Sequence, residues 1–151
     1  MSSLNLKNIY KVYPSGVIAV TDFNLDIEDK EFIVFVGPSG CGKSTLLNII
    51  GGIDTKSGGD ISVFSKVRIG YMLQNDCLFS WLNILDNCLL GLKIKDELND
   101  DNINYVKELL NTYGLSEFMY KYPSSLSGGM KQRVALIRTL ALKPDILLLD
   151  E

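Results

Sequence analysis

From residue 4 to residue 36 the apolar positions of this chain keep strand spacing. Segments 4–9 and 17–27 read as strands, with Ile18, Ala19 and Val20 and the alternating Phe23, Leu25 and Ile27 supplying the apolar positions. The unbroken run Phe32-Ile33-Val34-Phe35-Val36, bounded by Gly-Pro, predicts a buried strand after that meander. Residues 44–50 then take helical spacing, closed by Gly51-Gly52, and the stretch 54–60, DTKSGGD, is turn chemistry. A short strand is predicted over 67–73, ending at Gln74.

Beyond that point the rhythm changes. Residues 83–92 read as a helix. In 102–113 the residues Ile103, Val106, Leu109, Leu110 and Tyr113 fall on one helical face, with Asp100 or Asp101 as cap and Gly114 as stop. A short helix over 115–120 is interrupted by Tyr122-Pro123-Ser124-Ser125, and a helix over 128–142 is ended by Pro144. Ile146-Leu147-Leu148-Leu149 reads as a second buried strand, ending in Asp150-Glu151. The order predicts an α/β domain with a helical insertion over about 76–125.

Bulk properties narrow the functional classes. With 151 residues, 46% of them hydrophobic, the chain is long enough for one domain with a sizeable core. A net charge of −3 gives no electrostatic footprint for nucleic acid. No apolar stretch has the length of a membrane span, and MSSLNLKNIYKVYPSG lacks the apolar core of a signal peptide. Cys41, Cys77 and Cys88 are odd in number and lack metal-ligand spacing, so reduced thiols in a cytosolic protein are expected.

The chemistry concentrates at GPSGCGKST, residues Gly37, Pro38, Ser39, Gly40, Cys41, Gly42, Lys43, Ser44 and Thr45. This fits the phosphate-cradling pattern G-x-x-x-x-G-K-[ST] between a predicted strand and a predicted helix. Glycines let the backbone fold tightly, so that its N–H groups face a phosphate, and the helix N-terminus adds partial positive charge. Lys43 is the candidate for the β- and γ-phosphates of ATP, and the Ser44 hydroxyl for Mg²⁺. At the end of ILLLDE, Asp150 is the second candidate for Mg²⁺, and Glu151 the general base that polarises the attacking water. In LSGGMKQR, Ser127 caps a helix while Gly128 and Gly129 leave backbone N–H groups bare, a second candidate anion site.

These three motifs, in this order, resemble those of the ATP-binding-cassette (ABC) ATPases, over essentially the whole chain. GPSGCGKST corresponds to the Walker A motif, LSGGM to the signature and ILLLDE to Walker B. The resemblance implies an α/β P-loop NTPase core of the ABC ATPase type, formed by 1–75 and 126–151, with a helical subdomain over 76–125. It implies that Gln74 in YMLQND touches Mg²⁺ and the attacking water, and that Tyr13 stacks on adenine. The function implied is that of an ATPase subunit of an importer, on the cytoplasmic face of the membrane through permease subunits. Two copies would sandwich ATP between one Walker A and the opposite LSGGM, alongside an extracytoplasmic solute-binding protein. Leu78-Phe79-Ser80-Trp81, Asp86-Asn87 and Gly91-Leu92 are similar to nitrate, sulfonate and taurine importer ATPases. Trp81 fits either a core position or an aromatic anchor for the membrane subunit. The alternatives are a soluble, non-transport cassette ATPase and a non-hydrolysing nucleotide-binding fragment.

The chain departs from that family pattern in stopping at Glu151 and in containing no histidine. Family members continue to a D-loop, a further core strand and a switch histidine. The expectation is therefore a truncated core whose C-terminal part is missing, with unpaired flanks on its central strands and no steady ATPase activity of its own. Segment 59–70 also reads as shorter than usual, with one hairpin trimmed.

Overall fold

The computed structural model describes residues 2–63 and 67–150, and its contacts divide the chain into two compact units, Met1–Val67 and Arg68–Glu151. In the first unit β1 (Ser2–Val12) lies between β2 (Ile18–Glu28) and β3 (Gly58–Val63), antiparallel to both. Leu4, Leu6, Ile9 and Lys11 form the buried row of β1. The row slips by one residue at Asn8, whose φ of 50° marks a bulge and breaks the register between Leu6 and Ile9. The first strand is longer than the predicted 4–9, and the second has the predicted length shifted by one residue. The 54–60 stretch is not all turn, because Gly58, Gly59 and Asp60 enter β3, where Gly58 and Asp60 pair with β1. Part of the 59–70 segment read as trimmed, residues 64–66, lies outside the described residues.

Helix α1 (Lys43–Ile50) buries Leu46, Leu47, Ile49 and Ile50 and ends at Gly51, as the sequence predicts. The run 32–36 does not behave as predicted. It joins no strand ladder, and Phe32 and Val36 are 87% and 91% exposed. Ile33 and Phe35 are half-buried, with the Phe35 ring edge-on to Phe23 at 5.9 Å. An apolar run becomes a buried strand only where partners cover it. Here one face rests on β2 and the other meets solvent within its unit.

In the second unit β4 (Ile69–Met72) and β5 (Ile146–Leu149) are parallel, with Ile69 opposite Ile146 and Met72 opposite Leu149. Strand β5 is less buried than its sequence predicts. Leu148 points inward, while Leu147 and Leu149 are exposed on the uncovered face. Around this pair stand α2 (Ile84–Ile94), α3 (Asp100–Thr112) and α4 (Gly128–Leu140), with 3₁₀ turns at Ser116–Phe118 and Pro123–Ser125.

Their apolar faces meet in one cluster that includes Ile84, Leu92, Val106, Leu110, Val134 and Ile137. Each such side chain contributes about 1.5–3 kcal/mol by leaving water. Helix α3 is capped by Asn99, which accepts from the Asn102 N–H at 2.9 Å, and not by Asp100 or Asp101, which occupy its first turn. Helix α4 stops at Leu140, two residues before the predicted end. The chain turns through Lys143 at φ 48°, and its N–H returns to the Leu140 carbonyl at 2.8 Å before Pro144.

Candidate functional site

Residues 37–42 form an exposed loop that enters α1 through Gly42, at φ 97°. A β-carbon there would stand 2.3 Å from the Ala19 carbonyl oxygen, so only glycine lets the loop lie against β2. Gly42 offers no side-chain oxygen to cap α1, and no acidic residue stands in the first turn. The helix thus presents its positive end, with the Lys43 ammonium beside it. That ammonium donates to the carbonyls of Gly37 at 2.8 Å and Pro38 at 3.0 Å, and lies 3.7 Å from the Cys41 sulfur. A cation folded back on a glycine loop at a helix N-terminus fits a phosphate, whose oxygens can replace those carbonyls as acceptors. A cleft of about 480 Å³ opens beside the loop, lined by Ala19, Phe23, Val34, Phe35, Lys43 and Leu46 among others.

Tyr13 lies at the same end of the unit. Its hydroxyl is 3.4 Å from the Thr45 hydroxyl, in the first turn of α1, and donates to Asp54 at 3.3 Å. Reading the sequence missed two further residues here. Lys11 is buried in β1, and its ammonium donates to Asp54 at 2.5 Å and to the Thr55 carbonyl at 2.6 Å, while lying 4.8 Å from the centre of the Tyr13 ring. Asp54, in a stretch assigned to a turn, is held below the usual carboxylate range by that hydrogen bond to Lys11, against a smaller opposing effect of burial. No straight alternation marks Lys11, because the slip at Asn8 moves the inward row from Leu4 and Leu6 to Ile9 and Lys11.

In the second unit the parallel register brings Gln74 and Asp150 out at the carboxyl ends of adjacent strands. The Asp150 N–H donates to the Met72 carbonyl at 3.0 Å, two residues before Gln74. Such ends are where parallel sheets bind ligands. Burial, and then the Asp150 carboxylate to which Tyr71 is hydrogen-bonded, push the Tyr71 phenol up to about 12. Helix α4 fastens the segment after Gln74. The Arg138 guanidinium donates to the carbonyls of Asp76 and Cys77, both at 2.7 Å, and Gln132 reaches the Gln74 carbonyl at 3.4 Å.

Ser127 caps α4 as expected, accepting from the Met130 N–H at 3.4 Å, and Gly128 and Gly129 are exposed with open space around them. Glu151 lies outside the described residues. Among the described residues no three His, Cys, Asp or Glu side chains cluster as a metal site. Ser44 belongs to the first unit, Gln74 and Asp150 to the second, and each carries an oxygen of the kind that Mg²⁺ takes.

In the sequence Asn87 stood out only as part of Asp86-Asn87, and its packing role was missed. Wholly buried in α2, its amide donates to the carbonyls of Phe79, Leu82 and Asn83, and its oxygen accepts from the Phe79 N–H at 2.8 Å. It thereby fixes the loop that carries Trp81, which is 71% exposed and edge-on to Phe79.

A family model described as "ABC transporter" matches residues 20–151. The uncharacterized ABC transporter ATP-binding protein YtlC of Bacillus subtilis is 46% identical over the whole chain, which covers 62% of that protein. The oligosaccharides import ATP-binding protein MsmX of Bacillus subtilis is 40% identical, again over the whole chain, which covers 44% of it. The chain thus spans 44% to 62% of the length of these relatives. The solved dimeric structure of the ATP-binding cassette MJ0796, in a post-hydrolysis state bound to ADP and Pi, superposes with a TM-score of 0.87 at 34% identity. That match covers 98% of this chain and 73% of the other.

Proposed function

The chain belongs to the ABC transporter family, with the fold of its ATP-binding cassettes, and on that premise we propose that it is the ATP-binding and hydrolysing part of an importer. The observation that carries the reading is the glycine loop at the bare N-terminus of α1, with Lys43 folded over the Gly37 and Pro38 carbonyls. Binding ATP exchanges those carbonyls for β- and γ-phosphate oxygens. Residues 1–75 and 126–151 would form the nucleotide-binding core and 76–125 the helical subdomain. Ser44, Gln74 and Asp150 would hold Mg²⁺, which when bound offsets the charge developing on the transferring phosphoryl group. Gln74 would orient the attacking water and Glu151 accept its proton. Tyr13 would stack on the adenine.

The N-terminus of α4, with Ser127, Gly128 and Gly129, would close on the ATP held by a second copy, as the dimeric state of MJ0796 suggests. The name of MsmX favours an importer, with permease subunits that hold the protein at the cytoplasmic face of the membrane and a solute-binding protein outside. Of the two relatives, the one whose name states a solute concerns oligosaccharides, so the wording shared with nitrate, sulfonate and taurine importers assigns no solute here.

The test is an equilibrium titration of the chain with Mg-ATP and with inorganic tripolyphosphate, beside a Lys43→Ala variant. Saturable binding of both, severely weakened in the variant, is the expected result. Equal binding to wild type and variant would sink the reading.

A further inference from the structure

Lys11 is a charged residue in a buried strand row, and the phosphate chemistry makes no use of it. Its side chain is 8% exposed and forms an ion pair with Asp54 at 2.5 Å. Two donations hold its ammonium, to Asp54 and to the Thr55 carbonyl, and the same ammonium lies over the Tyr13 ring. Asp54 grips that ring from the other end. One carboxylate oxygen accepts from Lys11 and from the Thr55 N–H at 2.7 Å, and the second accepts from the Tyr13 hydroxyl at 3.3 Å. The Asp54 N–H returns to the Asn48 carbonyl of α1 at 3.1 Å, and the Tyr13 hydroxyl also meets Thr45 in the first turn of α1. The ring is therefore fixed at its face and at its hydroxyl, on the helix that follows the phosphate loop.

We propose that Lys11, locked by Asp54, is a positioning residue for base recognition. It covers one face of Tyr13 and leaves the opposite face as the platform for a nucleoside triphosphate's base, at a set distance from the phosphate loop. A cation over an aromatic face holds the ring in place. Because Asp54 neutralises Lys11 at short range, the pair adds little attraction for phosphate. It acts on the base end of the ligand. The inference rests on reading 37–45 as the nucleotide loop and deepens it.

The experiment measures equilibrium affinity for ATP and for inorganic tripolyphosphate, which lacks a base, in the full chain and its variants. In Lys11→Met, ATP affinity falls about three- to tenfold, tripolyphosphate affinity stays at the wild-type value, and Lys11→Arg retains most of the ATP affinity. Breaking the pair can unfold the unit by leaving Asp54 without its partner. The double variant Lys11→Met/Asp54→Asn removes both charges and carries the same expectation. Equal loss for both ligands would show a merely structural role, and unchanged ATP affinity would show no role; either overturns the proposal. So does a wild type that binds both ligands equally and is insensitive to Tyr13→Ala, although the phosphate loop then stands. A wild type that binds neither ligand overturns the loop reading and this inference together.

Discussion

The Lys43 ammonium donates to the Gly37 carbonyl at 2.8 Å, so the cation is held over its own loop before any ligand arrives. Removing it in Lys43→Ala takes away the one flexible positive charge that the loop itself supplies. ATP affinity should fall roughly 10- to 100-fold, the equivalent of about 1.5–3 kcal/mol for a hydrogen bond to a charged group. Calorimetric titration of wild type and variant measures the ratio, and a ratio near one contradicts the assignment.

Gly42→Ala should disturb the loop from the other side. The new β-carbon would meet the Ala19 carbonyl at 2.3 Å, at a φ of 97° that alanine adopts only with strain. A cost of about 1–3 kcal/mol in stability is expected, with loss of triphosphate binding. Gly128→Ala, where nothing lies within 4 Å, should leave stability unchanged or raise it slightly. Urea unfolding midpoints compare the two; similar shifts in both would refute the close approach of Gly42 to β2.

The three thiols should react in a fixed order. Cys41 and Cys77 are exposed, whereas Cys88 is buried and its thiol is pushed up to about 12 by that burial. At neutral pH a maleimide should label the first two and spare Cys88 until urea is added. Mg-ATP should slow labelling of Cys41, inside the loop, far more than that of Cys77. Mapping by mass spectrometry decides, and fast labelling of Cys88 in the folded chain would refute its burial.

Tyr71 should titrate late. Its phenol is shifted from 10.0 to about 12 by burial and by Asp150, which means that the fold favours the neutral form. The associated stabilisation is complete below pH 10 and is lost as pH rises from 10 toward 12, because the unfolded chain gives up that proton first. Ultraviolet titration should show one phenol ionising near 12 that Tyr71→Phe abolishes. Asp150→Asn should lower it only partly, since burial is the larger cause. A late ionisation unaffected by Asp150→Asn would separate the two residues.

Asn87→Ala should destabilise the second unit by about 2 kcal/mol or more, because the Phe79 N–H and the Phe79, Leu82 and Asn83 carbonyls lose a buried partner. A urea midpoint equal to that of the wild type would show that water replaces the amide without cost.

What could be read from the sequence was what is local in it. The phosphate loop, the capped glycines after Ser127 and the acid at the end of β5 each lie within a few consecutive residues, and the backbone chemistry of those residues defines them. The helices were legible because one apolar face repeats along each. Run 32–36 was misread because an apolar strand declares its composition but not its partners. Lys11 and Asp54 stand 43 positions apart, so only the fold could pair them, and the bulge at Asn8 sets which side of β1 faces inward. The role of Asn87 was hidden for the opposite reason. It sits on an apolar helix face, where its partners are loop carbonyls that no side-chain pattern marks.

The loop held by Asn87 also gives the molecule an optical handle. Trp81 is the only tryptophan in the sequence, and it stands in solvent on a rigid mount beside Phe79. Its emission therefore comes from one known place and reports on one surface. Any partner that covers this surface will move the fluorescence toward the blue. Docking at this surface can thus be followed in the unlabelled protein.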